Sequence, residues 1–287
     1  NTLFTRGEPM ASQVENDVAS HYARPGLLQS ILDGLEAQGS RLDALTTADL
    51  APVDEFHTAG RLATERAFAI TPVEAGMHVL DAGCGIGGTS RYLAQDLGCE
   101  VTGLDLTPEY IEVASALADR MRLNDRCRFE VGSATRMPFG DDSFDGATNF
   151  HVAMNIEDRP ALYGELARVV KPGGFLCVFD VMKGPTAGMR YPVPWAETET
   201  TSFLQTRDET VRLIEDAGMA VTAEDNMRDF AIGFFEKVFA NAAKADGPPP
   251  LGLHLLTGAN TADKFGNYAQ ALNDHQIEPV VVVAQKA

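Results

Sequence analysis

Residues 79–88 read Val-Leu-Asp-Ala-Gly-Cys-Gly-Ile-Gly-Gly, and this stretch decides the fold. An apolar run ends in an acid, and glycines then recur at alternate positions. Glycine adopts left-handed backbone conformations and carries no side chain. The pattern is therefore typical of a buried strand that turns into a helix where a ligand contacts the backbone. It predicts an α/β fold with a ligand site at the end of this strand.

Two kinds of ligand compete for this glycine loop. Gly83, Gly85 and Gly88 satisfy the G-x-G-x-x-G fingerprint of nicotinamide dinucleotide sites. Asp81 argues against a dinucleotide, because an acid beside the loop repels a pyrophosphate. The same acid suits a cationic ligand, such as the ammonium and sulfonium of S-adenosylmethionine. Asp105 ends the next apolar segment, at the spacing expected for a carboxylate that accepts both ribose hydroxyls. The plain alternative is that Asp81 caps the turn and Asp105 is an ordinary acid at a strand end.

Apolar segments alternate with helical patterns over most of the chain, which indicates a parallel sheet covered on both faces. We predict a Rossmann-like sheet with helices on both faces. Its strands are expected at residues 77–82, 100–105, 127–131, 144–149, 175–180, 220–224 and 279–284.

The glycine loop, Asp105 and the Lys-Pro-Gly-Gly run at residues 171–174 resemble class I S-adenosylmethionine-dependent methyltransferases. The likeness is to the small-molecule branch, which includes ubiquinone/menaquinone-pathway C-methyltransferases, sarcosine/dimethylglycine N-methyltransferases and sugar O-methyltransferases. It covers roughly residues 56–179 and the final strand. The resemblance implies a seven-stranded, mostly parallel sheet whose last strand is antiparallel. It also implies S-adenosylmethionine as cofactor and S-adenosylhomocysteine as product.

The cofactor contacts expected from the loop and from this resemblance follow the first four strands. They are Asp81, Gly83, Gly85, Gly87, Asp105, Leu106, Ser133, Ala134 and Asn149. Leu106 is expected against the adenine, and Asn149 near the transferred methyl group. Members of the family often have an acid after the third strand that accepts the adenine amino group. This chain has Gly-Ser-Ala at residues 132–134 instead.

Three segments lie outside the expected core. We interpret residues 1–56 as an N-terminal helical lid, and residues 57–287 as the core, with lid insertions at 183–205 and 225–275. The second insertion is longer than folding requires, which indicates function or a partner. Its phenylalanines are spaced as one helix face and are expected to form the interior of the lid. The alternative is that residues 225–275 form a homodimer surface.

Composition excludes several classes of partner. The net charge is −18, from 41 acids and 23 bases, which disfavours nucleic acid and anionic membrane surfaces. No apolar run approaches the roughly 20 residues of a membrane span. The four cysteines fall in or beside predicted strands without metal-ligand spacing. They predict buried thiols, no metal and a cytoplasmic protein.

Methyl transfer needs an aligned, desolvated nucleophile, and it needs a base only if that nucleophile starts protonated. The candidate catalytic residues are His151, His57 and Tyr22, and His21 and Tyr191 are weaker candidates. The loop with Tyr191 and Trp195 either holds a cationic substrate by cation–π contact or serves as a plain anchor.

We therefore expect an enzyme that methylates a small polar metabolite on an amine nitrogen or sulfur. The main alternative is an oxygen or carbon acceptor with His57 or His151 as general base. A nicotinamide-dependent dehydrogenase and a non-catalytic cofactor-binding or dimerisation module remain as alternatives from other classes.

Overall fold

The computed structural model describes residues 13–22, 24–245 and 247–287, and its centre is one sheet of seven strands. The strand order is β3-β2-β1-β4-β5-β7-β6. The strands are β1 (His78–Ala82), β2 (Glu100–Asp105), β3 (Cys127–Val131), β4 (Phe144–Phe150), β5 (Val170–Lys183), β6 (Met219–Asn226) and β7 (Ile277–Lys286).

Helices connect these strands and extend the chain at its amino end. They are α1 (Gln13–Tyr22), α2 (Leu27–Ala37), α3 (Thr47–Asp54), α4 (Gly60–Ala69), α5 (Gly88–Gln95), α6 (Pro108–Arg120), α7 (Arg159–Val169), α8 (Arg207–Asp216), α9 (Arg228–Ala242), α10 (His254–Thr257) and α11 (Thr261–Asn273). The Lys-Pro-Gly-Gly run expected before the fifth strand lies inside β5, which is longer than predicted.

The direction of the strands matches the predicted topology. β1 pairs in parallel with β2 and β4, and β2 with β3 and β4 with β5 pair in parallel as well. β7 runs antiparallel between β5 and β6. The prediction of a Rossmann-like, mostly parallel sheet with an antiparallel last strand is therefore confirmed. The carboxyl ends of β1 to β4 meet at one edge, where ligands of such sheets bind.

Both faces of the sheet are buried, as β7 illustrates. Val281 and Val283 belong to one hydrophobic cluster, whereas Val280 and Val282 belong to another. Successive side chains of a strand point to opposite faces, so the two clusters lie on opposite sides of the sheet. A strand buried on both faces explains the continuous apolar run near the end of the sequence.

Helices α2 and α3 pack into the core rather than over the sheet edge. Ile31, Leu35 and Leu50 are fully buried in the same cluster as Leu93 of α5 and Leu117 of α6. Of the segment expected as an N-terminal lid, α1 lines the cavity described below, and residues 1–12 lie outside the described residues.

The turn after β1 depends on close backbone packing. Gly83 has a φ of +81°, and its amide donates to the carbonyl of Leu104 at 2.7 Å. A Cβ at this position would lie 2.2 Å from Cγ2 of Val152. Glycine is thus required here both by the backbone conformation and by the space available.

The described residues hold further features that bear on function. All four cysteines are free and buried, as predicted. Within the described ranges no cluster of three or more His, Cys, Asp or Glu side chains is arranged to hold a metal ion. No helix among these residues is both long and apolar enough to cross a membrane.

We predict that Gly83→Ala destabilises the fold more than Gly76→Ala. Gly76 has a similar φ of +86°, but a Cβ there meets nothing within 4 Å. Left-handed strain costs roughly 1–2 kcal/mol at either site. Overpacking against Val152 should add about 1–3 kcal/mol at Gly83 only. Urea denaturation of both variants measures the difference in the free energy of unfolding, and equal losses would contradict the close packing.

Candidate active site

A cavity of about 580 Å³ opens beyond the carboxyl ends of the parallel strands. This volume is typical of small-molecule sites. Its floor includes the glycine loop, the ends of β2 and β4, and the turn after β3. Its cover comes from α1, from the loop that follows β5, and from the segment between β6 and β7.

The structure places most of the predicted site residues on this cavity. Those that line it are Tyr22, His57, Gly83, Gly85, Asp105, Leu106, Ser133, Ala134, His151 and Trp195. Four others do not line it, namely Asp81, Gly87, Asn149 and Tyr191.

Asp105 is held by the backbone of the loops around it. One carboxylate oxygen accepts the amide N–H of Gly85 at 2.8 Å, and the other accepts that of Thr107 at 2.9 Å. Burial raises the pKa of Asp105, and these backbone bonds oppose that rise. Each carboxylate oxygen has further lone pairs. Asp105 can therefore still accept the two hydroxyls of a ribose in the cavity.

Asp81 does not face the cavity, which corrects the expectation that it contacts a cationic ligand. Its carboxylate accepts bonds from Ser90 Oγ at 2.6 Å and Thr148 Oγ1 at 2.9 Å. The side chain is buried, and burial raises its pKa to about 6. Because strand side chains alternate between faces, Asp81 points into the packing beneath α5. It joins β1, α5 and β4 below the glycine loop.

Three further predicted contacts are structural in this fold. A Cβ on Gly87 would lie 2.8 Å from Nη1 of the buried Arg91, so this glycine faces the interior. Asn149 donates from Nδ2 to the carbonyl of Ala82 at 2.9 Å and thereby ties β4 to β1. Tyr191 is half-buried and packs against the hydrophobic cluster that includes Trp195 and Tyr268, but it does not itself line the cavity.

His57 lies on the cavity and is paired with a buried carboxylate. Its Nε2 is 2.8 Å from Oε2 of Glu55, and the two side chains are only 5% and 4% exposed. Burial alone would raise the pKa of Glu55, but the hydrogen bonds from His57 and Thr64 outweigh it and hold that pKa below its usual range. Glu55 is thus an ionised partner that orients the imidazole of His57.

Nδ1 of His57 has a more distant hydrogen-bond partner than Nε2. The carbonyl oxygen of Thr58 lies 3.4 Å from it, which is long for a hydrogen bond. With the Nε2 proton directed at Glu55, Nδ1 carries the lone pair. The pair can therefore accept a proton at Nδ1, and the resulting imidazolium has Glu55 and the Thr58 carbonyl as acceptors.

His151 has a different environment from His57. The amide N–H of Thr58 donates to its Nε2 over a long 3.4 Å, and this contact favours the tautomer with the ring proton on Nδ1. Burial, with a smaller contribution from His57, holds the pKa of His151 well below its usual range. The neutral ring packs against Phe179, with centroids 4.8 Å apart. His151 is therefore suited to donate a hydrogen bond, and poorly suited to take up a proton.

Tyr22 links α1 to the floor of the cavity. Its hydroxyl donates to Oδ1 of Asn155 at 2.9 Å, and Asn155 donates to the carbonyl of Trp195 at the same distance. Burial raises the pKa of Tyr22, so its phenol is a neutral donor and not a base. The hydrogen bond of Tyr22 thus connects α1, in the cover of the cavity, to Asn155, which follows β4.

Aromatic side chains form the wall beside the two histidines. Trp195 is buried, donates from Nε1 to Ser202 Oγ at 2.9 Å, and contacts Tyr268 edge-on at 5.9 Å between centroids. Phe235 packs on Tyr268 at 5.4 Å. The hydroxyl of Tyr268 bonds to Thr58 Oγ1. The expected phenylalanine face of the second insertion therefore reaches the cavity through Phe235.

Several lining residues had no signal that singled them out in the sequence. They are Glu15, Thr58, Asn155, Phe265 and Tyr268. They come from separated parts of the chain and meet only in the folded protein. The partner of His57 had a weak signal, since Glu55 lies two residues before it in a segment that is not helical.

Comparison with known proteins agrees with this geometry. The family model described as a methyltransferase domain matches residues 80–178. The methyltransferase GfsG of Streptomyces halstedii is 33% identical over 177 residues, which cover 60% of this chain and 63% of that protein. Phosphoethanolamine N-methyltransferase 3 of Arabidopsis thaliana is 33% identical over 131 residues, covering 45% of this chain and 26% of that one.

A probable tocopherol O-methyltransferase of Oryza sativa subsp. japonica is 39% identical over 115 residues, covering 39% of this chain and 32% of that protein. The matched region spans less than two thirds of the length of these curated relatives. By their names these relatives include both O- and N-methyltransferases, so the similarity does not determine the acceptor atom.

A solved structure of geranyl diphosphate C-methyltransferase from Streptomyces coelicolor A3(2) has the same fold, with a TM-score of 0.70, 18% identity and coverage of 98% of this chain and 100% of that one. The [4+2]-cyclase SpnF also shares the fold, with a TM-score of 0.68, 20% identity and 98% coverage of both chains. Residues 80–178 match the methyltransferase-domain model, and this match confirms the resemblance to class I S-adenosylmethionine-dependent methyltransferases that the glycine loop and Asp105 indicate.

Proposed function

We propose that this protein transfers a methyl group from S-adenosylmethionine to a hydroxyl or an acidic carbon of a small organic molecule, with His57 as general base. The observation that carries the proposal is that His57, which is paired with the buried Glu55, lines the same cavity as Asp105. A base beside a cofactor site is needed when the acceptor starts protonated.

The charge of the cavity supports a cationic cofactor. Five carboxylates of the described residues line it, those of Glu15, Asp54, Asp105, Glu157 and Asp158, and Asp54 is paired with the buried Arg91. The described lining residues include no Lys or Arg. A pyrophosphate would find no cation there, which disfavours the nicotinamide dinucleotide alternative. Asp105 would hold the ribose, and the backbone of the glycine loop would lie against the rest of the cofactor.

The aromatic wall supports an acceptor with an apolar skeleton. Trp195, Phe235 and Phe265 line the same cavity as His57 and His151, together with Leu253 and Leu256. Such surfaces bind a ligand mainly by removing its apolar area from water. This differs from the polar, cationic acceptor that the acidic composition favoured. An amine or sulfur acceptor that needs no base remains the alternative to be tested.

His57, Glu55 and His151 would each have a different role in the proposed reaction. When bound, S-adenosylmethionine supplies an electrophilic methyl group on a sulfonium. His57 Nδ1 would take the proton of the acceptor, and Glu55 would stabilise the imidazolium that forms. His151, with its proton on Nδ1, would donate a hydrogen bond to the acceptor oxygen or to a neighbouring carbonyl. The buried wall would exclude water from the reacting groups.

Substitution of Asp105 should weaken cofactor binding. Asp105→Asn keeps the size of the side chain but removes the charge that strengthens bonds to the ribose hydroxyls. Hydrogen bonds to a charged group contribute about 1.5–3 kcal/mol, so the affinity for S-adenosylhomocysteine should fall roughly tenfold to a hundredfold. Isothermal titration measures this, with Asp119→Asn, an exposed site that does not line the cavity, as control. Absence of any binding to the native chain would refute the proposed activity.

Removal of the proposed base should lower turnover while the cofactor still binds. His57→Ala is expected to reduce turnover roughly a hundredfold or more, because general bases contribute about 10²–10⁴-fold. Glu55→Gln should reduce it less. The acceptor is first identified by mass spectrometry of a metabolite pool treated with methyl-labelled cofactor, and product formation is then measured against pH.

The pH dependence separates a base from a structural role. Turnover by the His57→Ala variant should rise with pH, because hydroxide replaces the missing base. His275→Asn removes a half-buried histidine that does not line the cavity and should leave turnover unchanged. Full activity of His57→Ala at neutral pH would instead favour an acceptor that needs no base, such as a sulfur or a neutral amine.

A further inference from the structure

Glu15 brings a carboxylate from α1 to the edge of the sheet where β3 ends. Ser133 Oγ donates to Oε1 of Glu15 at 2.5 Å, and both residues line the cavity. The same hydroxyl is 2.8 Å from Oγ1 of Thr135, which also lines the cavity. The side-chain oxygens of Glu15, Ser133 and Thr135 thus form a polar cluster that faces the cavity beyond β3. Of these three residues, Glu15 supplies the carboxylate.

This cluster lies on the β3 side of the ribose-binding carboxylate. β2 and β3 run in parallel with Asp105 opposite Val131, and the amide of Gly132 donates to the Asp105 carbonyl at 2.9 Å. Ser133 is the next residue. Leu106, which also lines the cavity, offers an apolar surface beside the same strand end. A flat base attached to a ribose at Asp105 would therefore extend toward Glu15 and Ser133.

We propose that Glu15 accepts a hydrogen bond from the 6-amino group of the cofactor's adenine. The inference rests on the proposed function, since it concerns the same cofactor. The amino group is the hydrogen-bond donor of the adenine edge, and a carboxylate is the strongest acceptor that a protein offers it. Residues 132–140, which follow β3, contain no acid, so the acceptor comes from α1, outside the core sequence.

The assignment makes α1 part of the cofactor site and not only a cover. At its far end α1 is held by the Tyr22–Asn155 bond and by His21, whose Nε2 lies 3.3 Å from the Pro194 carbonyl. An adenine bound at Glu15 adds a contact at the other end. Cofactor binding should then stabilise the whole helix, which closes the cavity before the acceptor reacts.

A simpler role for Glu15 must be separated from this one. An acid in the first turn stabilises a helix through the dipole, whatever its side chain contacts. Asp17 lies on the same helix, is exposed, accepts only from Gln13 among the hydrogen bonds described for it, and does not line the cavity. Asp17→Asn therefore changes the charge of α1 without touching the proposed adenine contact.

The experiment compares two nucleoside ligands by isothermal titration. One is S-adenosylhomocysteine, and the other is S-inosylhomocysteine, in which an oxygen replaces the 6-amino group. The native chain should bind the adenine compound at least roughly tenfold more tightly. Glu15→Gln should bind S-adenosylhomocysteine roughly tenfold more weakly and lose most of this preference. Asp17→Asn should behave as the native chain does.

Each outcome decides the matter. Equal S-adenosylhomocysteine affinity in Glu15→Gln and the native chain overturns the inference but leaves the proposed function intact. No binding to the native chain overturns both. If Glu15→Gln fails to fold, hydrogen exchange on the native chain decides instead. S-adenosylhomocysteine should slow the exchange of the amides of residues 13–22, and the inosyl compound should slow it less. Equal protection by the two compounds overturns the inference.

Discussion

The arrangement of the active site depends on one buried ion pair, between Arg91 of α5 and Asp54 of α3. Nη2 of Arg91 lies 2.5 Å from Oδ1 of Asp54, and Nη1 donates to the carbonyl of Ile86 at 2.7 Å. Both side chains are buried, so removing either partner would leave an uncompensated charge at a cost of about 3–5 kcal/mol. The pair fixes α3 against the glycine loop, and Glu55 and His57 follow α3 directly. The proposed base is thereby positioned relative to the cofactor loop.

The remaining walls of the cavity are tied to this centre by hydrogen bonds between distant segments. Thr58 binds the hydroxyl of Tyr268 through its side chain and His151 through its backbone amide. The side chain of Asn155 accepts a hydrogen bond from the hydroxyl of Tyr22 and donates one to the carbonyl of Trp195. The cover is therefore built from three parts of the chain, and each part contacts the floor through a polar group that would be costly to leave unpaired when buried.

The sequence predicts the sheet well, because strand periodicity and left-handed glycines are local properties of the chain. It also identifies which strand ends carry the site, as Asp105 and His151 illustrate. It does not determine the direction of a side chain at a strand end. Asp81 and Asn149 lie near the ends of strands that reach the cavity. Both side chains are nevertheless buried, and their hydrogen bonds connect neighbouring elements of the fold. Tyr268 and Glu15 were missed, since only tertiary packing brings them to the cavity.

The acidic composition favours a cationic acceptor, whereas the lining of the cavity supports the proposed acceptor with an apolar skeleton. Three deeply buried acids each have a basic partner. Glu55 is paired with His57, Asp54 with Arg91, and Asp180 has Arg159 at 3.6 Å. These partners argue against the three carboxylates as the binding site of a cationic substrate. The proposed acceptor would instead contact aromatic and aliphatic side chains of the cavity, so its affinity should depend mainly on apolar area. Net charge describes the surface of a protein, whereas specificity is set by the few groups that a cavity leaves unpaired.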